Sequence, residues 1–295
     1  MLKRKTKQHL QFWAFILPGV TGFLWLGVYP ILRSLYLSFT DRSLLYPDET
    51  KWVGLRNFSR AFQDAIVRQA LSNSLVYAVS TVVLSNVIAI GAAILLTAKI
   101  RSVAAYRTVF FIPSILPAVT TVIMFRWVFD PNTGVVNQFL HTVFGIPSDN
   151  LPKWLYRSNT ALLTLIIMSL WGFGGRMVIY LAGVNNISRT YYEAAGLDGA
   201  NGWQQFLHIT LPQLSPIIFY NVLMSTVAGF QVFTEGMVSG AANTPFYVVN
   251  LYNLAYQPPY MLGYVSALAW ILFAIVLAVT GVYFFLNKKL VHYEN

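Results

Sequence analysis

Long apolar stretches alternate with short polar segments along the chain. Each of six stretches is at least about 20 residues long, which a helix needs to cross the hydrocarbon core of a membrane. The predicted spans, with approximate ends, are 11–39, 70–98, 108–129, 160–182, 213–234 and 264–287. Backbone groups in lipid must be hydrogen-bonded within each segment, which favours helices, and the alternation of a membrane barrel is absent. The pattern predicts an all-α polytopic membrane protein with six transmembrane helices.

The composition agrees with lipid as the main solvent. Charged residues make up 10% of the sequence and hydrophobic residues 56%, whereas soluble domains carry about 25% charged residues. The net charge of +10 could indicate nucleic-acid binding, but no basic stripe or nucleic-acid motif accompanies it, and the basic flanks of membrane helices explain it. The lack of cysteine excludes disulfides, thiolate metal sites and a cysteine nucleophile.

The basic N-terminus, Lys3 to Lys7, precedes an apolar run and could belong to a signal peptide. The uncharged stretch from Gln11 to Leu32 is longer than the usual apolar region of about 7–15 residues and lacks a small-residue cleavage pattern. We therefore expect an uncleaved first membrane helix. Basic residues next to the inner ends of the first, second and sixth helices favour cytoplasmic N- and C-termini.

The expected organisation has three parts. Residues 1–70 form an N-terminal transmembrane helix and an extracellular segment with a short surface helix bearing Phe58, Phe62 and Ile66. Residues 71–287 form a core of five transmembrane helices with a cytoplasmic loop at 185–212, and residues 288–295 form a cytoplasmic tail. The sequence Asp130–Gly134 is a turn signal. The region 236–263 is uncharged, but its Gly, Asn and Pro content argues against a further span.

One strongly polar stretch, "YYEAAGLDGANGWQQFLHITLP" from Tyr191 to Pro212, separates the fourth and fifth spans. Glu193 is expected to open a short helix, and Gly199 permits either a turn or a close backbone approach. Phe206, Ile209 and Leu211 would form an apolar face, and Pro212 would mark the start of the next span. From the pattern alone, an amphipathic surface helix without a partner is an adequate explanation.

The spacing of this stretch resembles the signature loop of membrane subunits of binding-protein-dependent ABC importers. The matching residues are Glu193, Ala194, Ala195, Gly199, Ile209, Leu211 and Pro212. Further features resemble the sugar-importing branch: Asp198-Gly199-Ala200, Phe206, Val53 to Phe58, Pro113 with Pro117, and Gly263 to Ala267. The N-terminal layout, with its long outer segment before the second helix, resembles the first of the two permease types that usually pair.

The resemblance implies the type I ABC importer permease fold and a non-catalytic role in the cell membrane. The loop would be a coupling helix in a groove of an ATPase subunit, where Glu193 contacts a basic residue and the two alanines keep the helix thin. Asp198 and Gly199 would follow this helix, and Ile209, Leu211 and Pro212 would complete the loop. The sequence lacks G-x-x-x-x-G-K-[ST], so ATP and Mg are expected on separate chains and no cofactor on this one.

The implied partners are a second permease subunit in a heterodimer, two ATPase subunits, an extracellular solute-binding protein, a sugar substrate and membrane lipid, without nucleic acid. The candidate substrate contacts are Ser114, Ser169, Trp171, Phe173, Arg176, Gly229, Phe230 and Gln231. Aromatic faces, amides and hydroxyls suit a sugar ring, but helix packing explains the apolar and small members equally well. An arginine in a span indicates a functional site, although Arg176 could extend to the interface. Glu235 could contact the binding protein or cap a loop.

Other functions remain open from the sequence. The same machinery could carry a glycerol phosphodiester or phosphate ester, for which Arg176 would gain importance. A stand-alone secondary transporter is disfavoured because the halves show no repeat and no matching broken helices, and because no acidic residue is expected within the spans. A membrane-embedded enzyme is also disfavoured, because no acid or histidine cluster lies near a span.

Overall fold

A computed structural model describes residues 2–97, 102–241 and 244–290, with side chains described only between residues 11 and 286. Lys99, Arg101 and the last five residues of the expected tail lie outside the described residues. The α-helices in chain order are α1 (Leu2–Phe23), α2 (Tyr29–Ser38), α3 (Arg56–Gln63), α4 (Ala65–Leu95), α5 (Val103–Ile115), α6 (Ala118–Val128), α7 (Val135–Phe144), α8 (Ser158–Leu170), α9 (Gly174–Asn186), α10 (Arg189–Leu197), α11 (Gly202–Gln205), α12 (Leu211–Gln213), α13 (Ser215–Phe230), α14 (Thr234–Val238), α15 (Tyr247–Tyr256) and α16 (Leu262–Leu290).

Six membrane spans are confirmed. Four helical segments are long and apolar enough to cross a membrane: Gln11–Ser38, Ala65–Leu95, Ser215–Val238 and Leu262–Leu286. The first of them runs through α1, a π-helical turn at Leu24–Val28 and α2. The other two spans are bent pairs, α5 with α6 and α8 with α9.

The third span was expected to be one helix, and that prediction is wrong. Its two halves, α5 and α6, meet at an angle of 101°. Leu116 takes an extended conformation (φ −67°, ψ 139°) immediately before Pro117, because the proline ring disfavours the helical conformation of the preceding residue. The fourth span bends by 46° between α8 and α9, where Gly172 and Gly174 weaken the helix.

The connection after the third span forms the turn predicted at Asp130–Gly134, whereas the predicted surface helix buries different residues from those expected. The Asp130 carboxylate accepts hydrogen bonds from the N–H groups of Thr133 (2.8 Å) and Asn132 (2.9 Å), which lowers the pKa of that carboxyl. In the predicted surface helix, α3, the buried residues are Asn57 and Ala61. Phe62 is exposed and Ile66 belongs to α4, so the expected apolar face is not the buried one.

The chain divides into two compact units. The first unit contains Met1–Asp64 and Leu251–Ala274. Long-range bonds hold it together: the Asn57 amide donates to the carbonyls of Ser38 (2.9 Å) and Thr40 (2.7 Å), and the Tyr264 hydroxyl donates to Asp64 Oδ2 (3.0 Å). These contacts join segments far apart in sequence, which local patterns cannot indicate.

The second unit contains Ala65–Asn250 and Ile275–Asn295, and α4 is its central helix, packed against α8, α9 and α13. A side chain at Gly229 on α13 would place its Cβ 2.9 Å from the Cα and Cβ atoms of Ala78. Gly183 on α9 likewise lies against Leu214 and Ile217. Small residues let membrane helices approach closely and gain dispersion contacts.

A buried polar network joins α4, α9 and α13 of the second unit. The Tyr180 hydroxyl donates a hydrogen bond to Asn86 Oδ1 at 2.7 Å and also interacts with the Asn221 side chain. Tyr180 is fully buried, and Asn86 and Asn221 are nearly so. Neither lipid nor water can substitute for a lost partner at such a position.

We predict that Tyr180→Phe lowers the stability of the protein by about 1 kcal/mol, because Asn86 Oδ1 loses its donor while the packing volume is kept. Tyr220→Phe is the matched control, since Tyr220 is 52% exposed. The measurement is the midpoint of thermal denaturation in detergent. Equal midpoints for the two variants would contradict a stabilising role for the network.

Candidate functional site

A polar cavity of about 320 Å³ lies within the second unit, where α4, α6, α8, α9, α13 and α14 meet. Its lining includes the hydroxyl-bearing residues Tyr77, Thr81, Ser85, Ser169, Ser225 and Thr234, and the amide of Gln231. The Thr81 hydroxyl donates to the Tyr77 carbonyl (2.8 Å) and the Ser169 hydroxyl to the Ile166 carbonyl (2.7 Å). Their oxygens therefore keep lone pairs that can accept hydrogen bonds from a ligand.

Arg176 lies in the wall of this cavity, in the first turn of α9. Its Nε–H donates to Ser225 Oγ at 2.9 Å, and no partner for the other guanidinium N–H groups is found among the described residues. Ten residues separate Arg176 from the end of α9 at Asn186, a rise of about 15 Å. The side chain therefore faces the cavity instead of extending to the inner interface.

Glu235 also lines the polar cavity, which corrects one expectation. It lies on α14, within the span Ser215–Val238, and is half-buried. The sequence analysis expected no acidic residue within the spans. Its suggestion that Glu235 contacts the binding protein or caps a loop stays a prediction. No ion pair joins Arg176 and Glu235 in the part of the chain that the structure describes, so the cavity presents one positive and one negative group separately.

A side pocket of about 190 Å³ adjoins the polar cavity and shares Ala118, Ser169 and Glu235 with it. The breaks of both bent spans line this pocket, with Leu116 from one and Trp171 and Gly172 from the other. Trp171 is 45% exposed, and its ring meets Phe125 edge-on at 5.8 Å. The pocket therefore offers an accessible aromatic surface beside the polar groups.

The structure brings six of the eight candidate substrate residues to these two spaces. Ser169, Arg176, Gly229 and Gln231 line the polar cavity, and Ser114, Ser169 and Trp171 line the side pocket. The other two are packing residues: Phe173 lies 5.7 Å from Phe110, ring to ring, and Phe230 is only 2% exposed.

Sequence reasoning missed the contribution of α4. Tyr77, Thr81 and Ser85 follow one another at intervals of four residues and therefore lie on one face of a helix. All three line the polar cavity. A polar residue recurring every fourth position in an otherwise apolar span is the signal that could have identified this wall.

The polar stretch between the fourth and fifth spans forms α10 and a second helical segment. Helix α10 begins at Arg189, with Ser188 Oγ accepting from the Thr190 N–H (3.4 Å). Glu193 is therefore in the middle of the helix, and the expectation that it opens the helix is wrong. Gly199 has φ +83°, a conformation that L side chains rarely adopt, so of the two alternatives left by the sequence the structure shows the turn.

A helical path runs from α11 through a π-helical turn at Phe206–Thr210 and α12 into α13. The Leu214 N–H donates to the Thr210 carbonyl and the Ile218 N–H to the Leu214 carbonyl, both at 2.9 Å. Pro212 therefore lies inside this path, and the helix of the fifth span begins at Ser215. The hydroxyls of Tyr192 and Thr210 are 2.9 Å apart and tie α10 to the path.

Helix α10 and the turn that follows it are mostly exposed. Glu193, Ala194, Asp198 and Gly199 are exposed and Ala195 is half-buried, whereas Ile209, Leu211 and Pro212 on the helical path are half-buried. Leu197 is 90% exposed and lies four residues after Glu193, on the same face of α10. The sequence analysis did not select Leu197, although a leucine on a polar loop is an available signal.

Comparison with known proteins gives consistent matches over most of the chain. A family model described as "binding-protein-dependent transport system inner membrane component" matches residues 85–292. The chain is 38% identical to the probable ABC transporter permease protein YesP of Bacillus subtilis, over 98% of this chain and 94% of that protein. It is 31% identical to the lactose transport system permease protein LacF of Rhizobium radiobacter, over 94% of each.

The fold matches a solved structure described as a bacterial ABC transporter involved in the import of the acidic polysaccharide alginate. The TM-score is 0.83, and the match covers 99% of each chain. The sequence identity is 20%, so this likeness establishes the fold.

Proposed function

Because the chain belongs to the family of binding-protein-dependent transport system inner membrane components, we propose that it is an ABC importer permease that translocates a neutral sugar or short oligosaccharide through the polar cavity. The observation that carries this proposal is the lining of that cavity. Its hydroxyls and amide match the many hydroxyl groups of a sugar, and its two opposite charges leave no net charge to select an ion. Trp171 in the side pocket supplies an aromatic surface for the C–H face of a sugar ring.

The similar LacF protein is described as a lactose transport permease, which supports a neutral carbohydrate. Within the proposed assembly, this chain pairs with a second permease, and two ATPase subunits bind on the cytoplasmic side. A loaded solute-binding protein delivers the sugar from outside. ATP binding and hydrolysis then alternate the access of the cavity between the two sides.

We assign contact with the ATPase to α10 and the turn that follows it. Glu193 and the exposed Leu197 share one face of α10, and the small side chains of Ala194 and Ala195 allow a close approach. A charge beside an exposed apolar side chain suits a docking surface with a fixed orientation. Asp198 and Gly199 complete this surface, while Ile209, Leu211 and Pro212 lie on the helical path behind it.

The same geometry connects the docking surface to the cavity. The Tyr192–Thr210 hydrogen bond joins α10 to the helical path, and Ser225, which binds Arg176, lies fifteen residues after Thr210 on that path. Fifteen helical residues span about 22 Å. A displacement of α10 can therefore be transmitted along the helical path to Ser225, which contacts Arg176.

A second candidate substrate is a glycerol phosphodiester or another phosphate ester. The observation in its favour is the guanidinium of Arg176, which has N–H groups free to bind an anion. Glu235 in the same cavity opposes it, because a carboxylate repels an anionic ligand.

The proposal is tested by co-expressing the chain with a second permease and an ATPase subunit and reconstituting the purified complex in liposomes. We expect a four-chain complex that takes up a neutral oligosaccharide only with ATP inside and a loaded binding protein outside. A monomer or homodimer that retains no ATPase would contradict the proposal.

We predict that Gly199→Asp abolishes transport while the chain still inserts in the membrane, because the added carboxylate crowds the ATPase contact. Gly199→Ala is the matched control: both variants strain the backbone at φ +83°, and only one adds charge, so we expect the alanine variant to keep measurable uptake. The measurement is ATP-driven uptake in liposomes. Normal uptake by Gly199→Asp, or equal loss in both variants, would contradict the assignment.

We predict that Arg176→Ala changes the uptake of a neutral sugar by less than about threefold, under about 1 kcal/mol, because no ionic contact to the substrate is lost. For a phosphate ester the same variant should lose more than about tenfold. Glu235→Gln should in turn improve binding of the anionic solute. Equal losses for both solutes in Arg176→Ala would indicate that the arginine supports the structure and does not select the substrate.

A further inference from the structure

A second space, separate from the polar cavity, lies between the last turns of α4 and the start of the helical path. We call it the apolar groove; its volume is about 590 Å³, and the described residues that line it are all apolar or glycine. Val87, Gly91 and Leu95 line it from α4, and Trp203, Phe206 and Leu211 from the other side. Val87, Leu95 and Trp203 are each more than 60% exposed.

A polar pocket of about 350 Å³ adjoins the apolar groove and shares Ile94, Gly202 and Phe206 with it. Its polar lining consists of Thr97, Asn185, Arg189, Tyr192, Gln205 and Thr210. Arg189 is exposed, and no acidic residue is among the described residues that line the pocket. Among the described residues, the pocket therefore combines the cation of Arg189 with neutral hydrogen-bonding groups.

We propose that the apolar groove and the adjoining polar pocket together bind one phospholipid with an anionic headgroup. An acyl chain occupies the groove, and the headgroup phosphate binds Arg189 while the neutral groups of the pocket bind the other headgroup oxygens. An apolar space continuous with a polar, cationic one matches the two parts of an anionic lipid, and basic pockets between membrane helices bind such headgroups.

The position of the groove supports a lipid. Helix α4 is a membrane span, and the groove lies along its last turns, so the groove is at the depth where an acyl chain meets its headgroup. Trp203 is 67% exposed at this level, as is typical of tryptophan at a membrane interface. A soluble anion would fill the polar pocket alone and leave the exposed apolar groove uncovered.

Two pairs of substitutions distinguish binding of the acyl chain in the apolar groove from binding of the headgroup in the polar pocket. Gly91→Leu fills the groove, because apart from the local helix backbone no described part of the chain comes within 4 Å of a Cβ built at Gly91. Gly281→Leu on α16 is its control, since Gly281 is also exposed and has the same open space but lies outside the groove. Arg189→Gln removes the cation, and Arg107→Gln is its control, an exposed arginine outside the polar pocket.

The experiment is native mass spectrometry of the delipidated complex of this chain with its partner subunits, titrated with dioleoylphosphatidylglycerol or dioleoylphosphatidylcholine. We expect one lipid per copy of this chain, with about a fivefold preference for the anionic lipid. Gly91→Leu should weaken binding of both lipids by at least about tenfold. Arg189→Gln should bind both lipids equally, and both controls should match the unsubstituted protein.

Several results would overturn the proposal. They are unchanged binding in Gly91→Leu, a retained headgroup preference in Arg189→Gln, or full displacement of the lipid by inorganic phosphate. If Gly91→Leu does not assemble, a photoreactive benzoylphenylalanine at Leu95 decides the question in membranes. Labelling of lipid supports the proposal, whereas labelling of a partner subunit shows that protein covers the groove. Neither the native mass spectrometry nor the photolabelling requires that the complex transports sugar.

Discussion

The absence of water in the hydrocarbon core is the constraint on which this structure depends. Backbone N–H and carbonyl groups freed by a break in a helix cannot be solvated by lipid, so a broken span is tolerated only where it is buried in protein or lines a cavity. The third span breaks at Leu116–Pro117 and the fourth at Trp171–Gly172, and both breaks line the same side pocket. The two interruptions thus place irregular backbone, an aromatic ring and hydroxyl groups next to the polar cavity.

The polar cavity depends on how closely the surrounding helices pack. Gly229 lets α13 lie against Ala78 on α4, and the Tyr180–Asn86 hydrogen bond holds α9 to α4. These contacts place Ser225 and Arg176 within hydrogen-bonding distance across two helices. The helical path that carries Ser225 also carries Thr210, which α10 contacts through Tyr192. The helical path therefore links the surface that we assign to the ATPase with Arg176 in the polar cavity.

The charged side chains that line the polar cavity and those that line the polar pocket lie in separate places. Arg176 and Glu235 face the polar cavity, whereas Arg189 faces the polar pocket beside the apolar groove. A charge within a membrane protein is costly unless a cavity or a partner stabilises it. In the described part of the chain, the proposed sugar path has both signs of charge among hydroxyls. The proposed lipid site there has the cation of Arg189 beside an apolar surface.

The sequence by itself determined the number and approximate ends of the spans, because hydropathy over about 20 residues depends on composition and little on packing. It also determined the turn at Asp130, where local chemistry is sufficient, and the loop motif between the fourth and fifth spans. At Gly199 it left a turn and a close backbone approach open. The break before Pro117 and the helix start after Ser188 follow local signals that the prediction did not use. Only the tertiary structure decided the burial of Phe230 and the packing of half-buried Phe173 against Phe110. It also decided that Glu235 and the hydroxyl face of α4 line the cavity, because which face of an apolar helix meets which neighbour is fixed by contacts between residues distant in sequence.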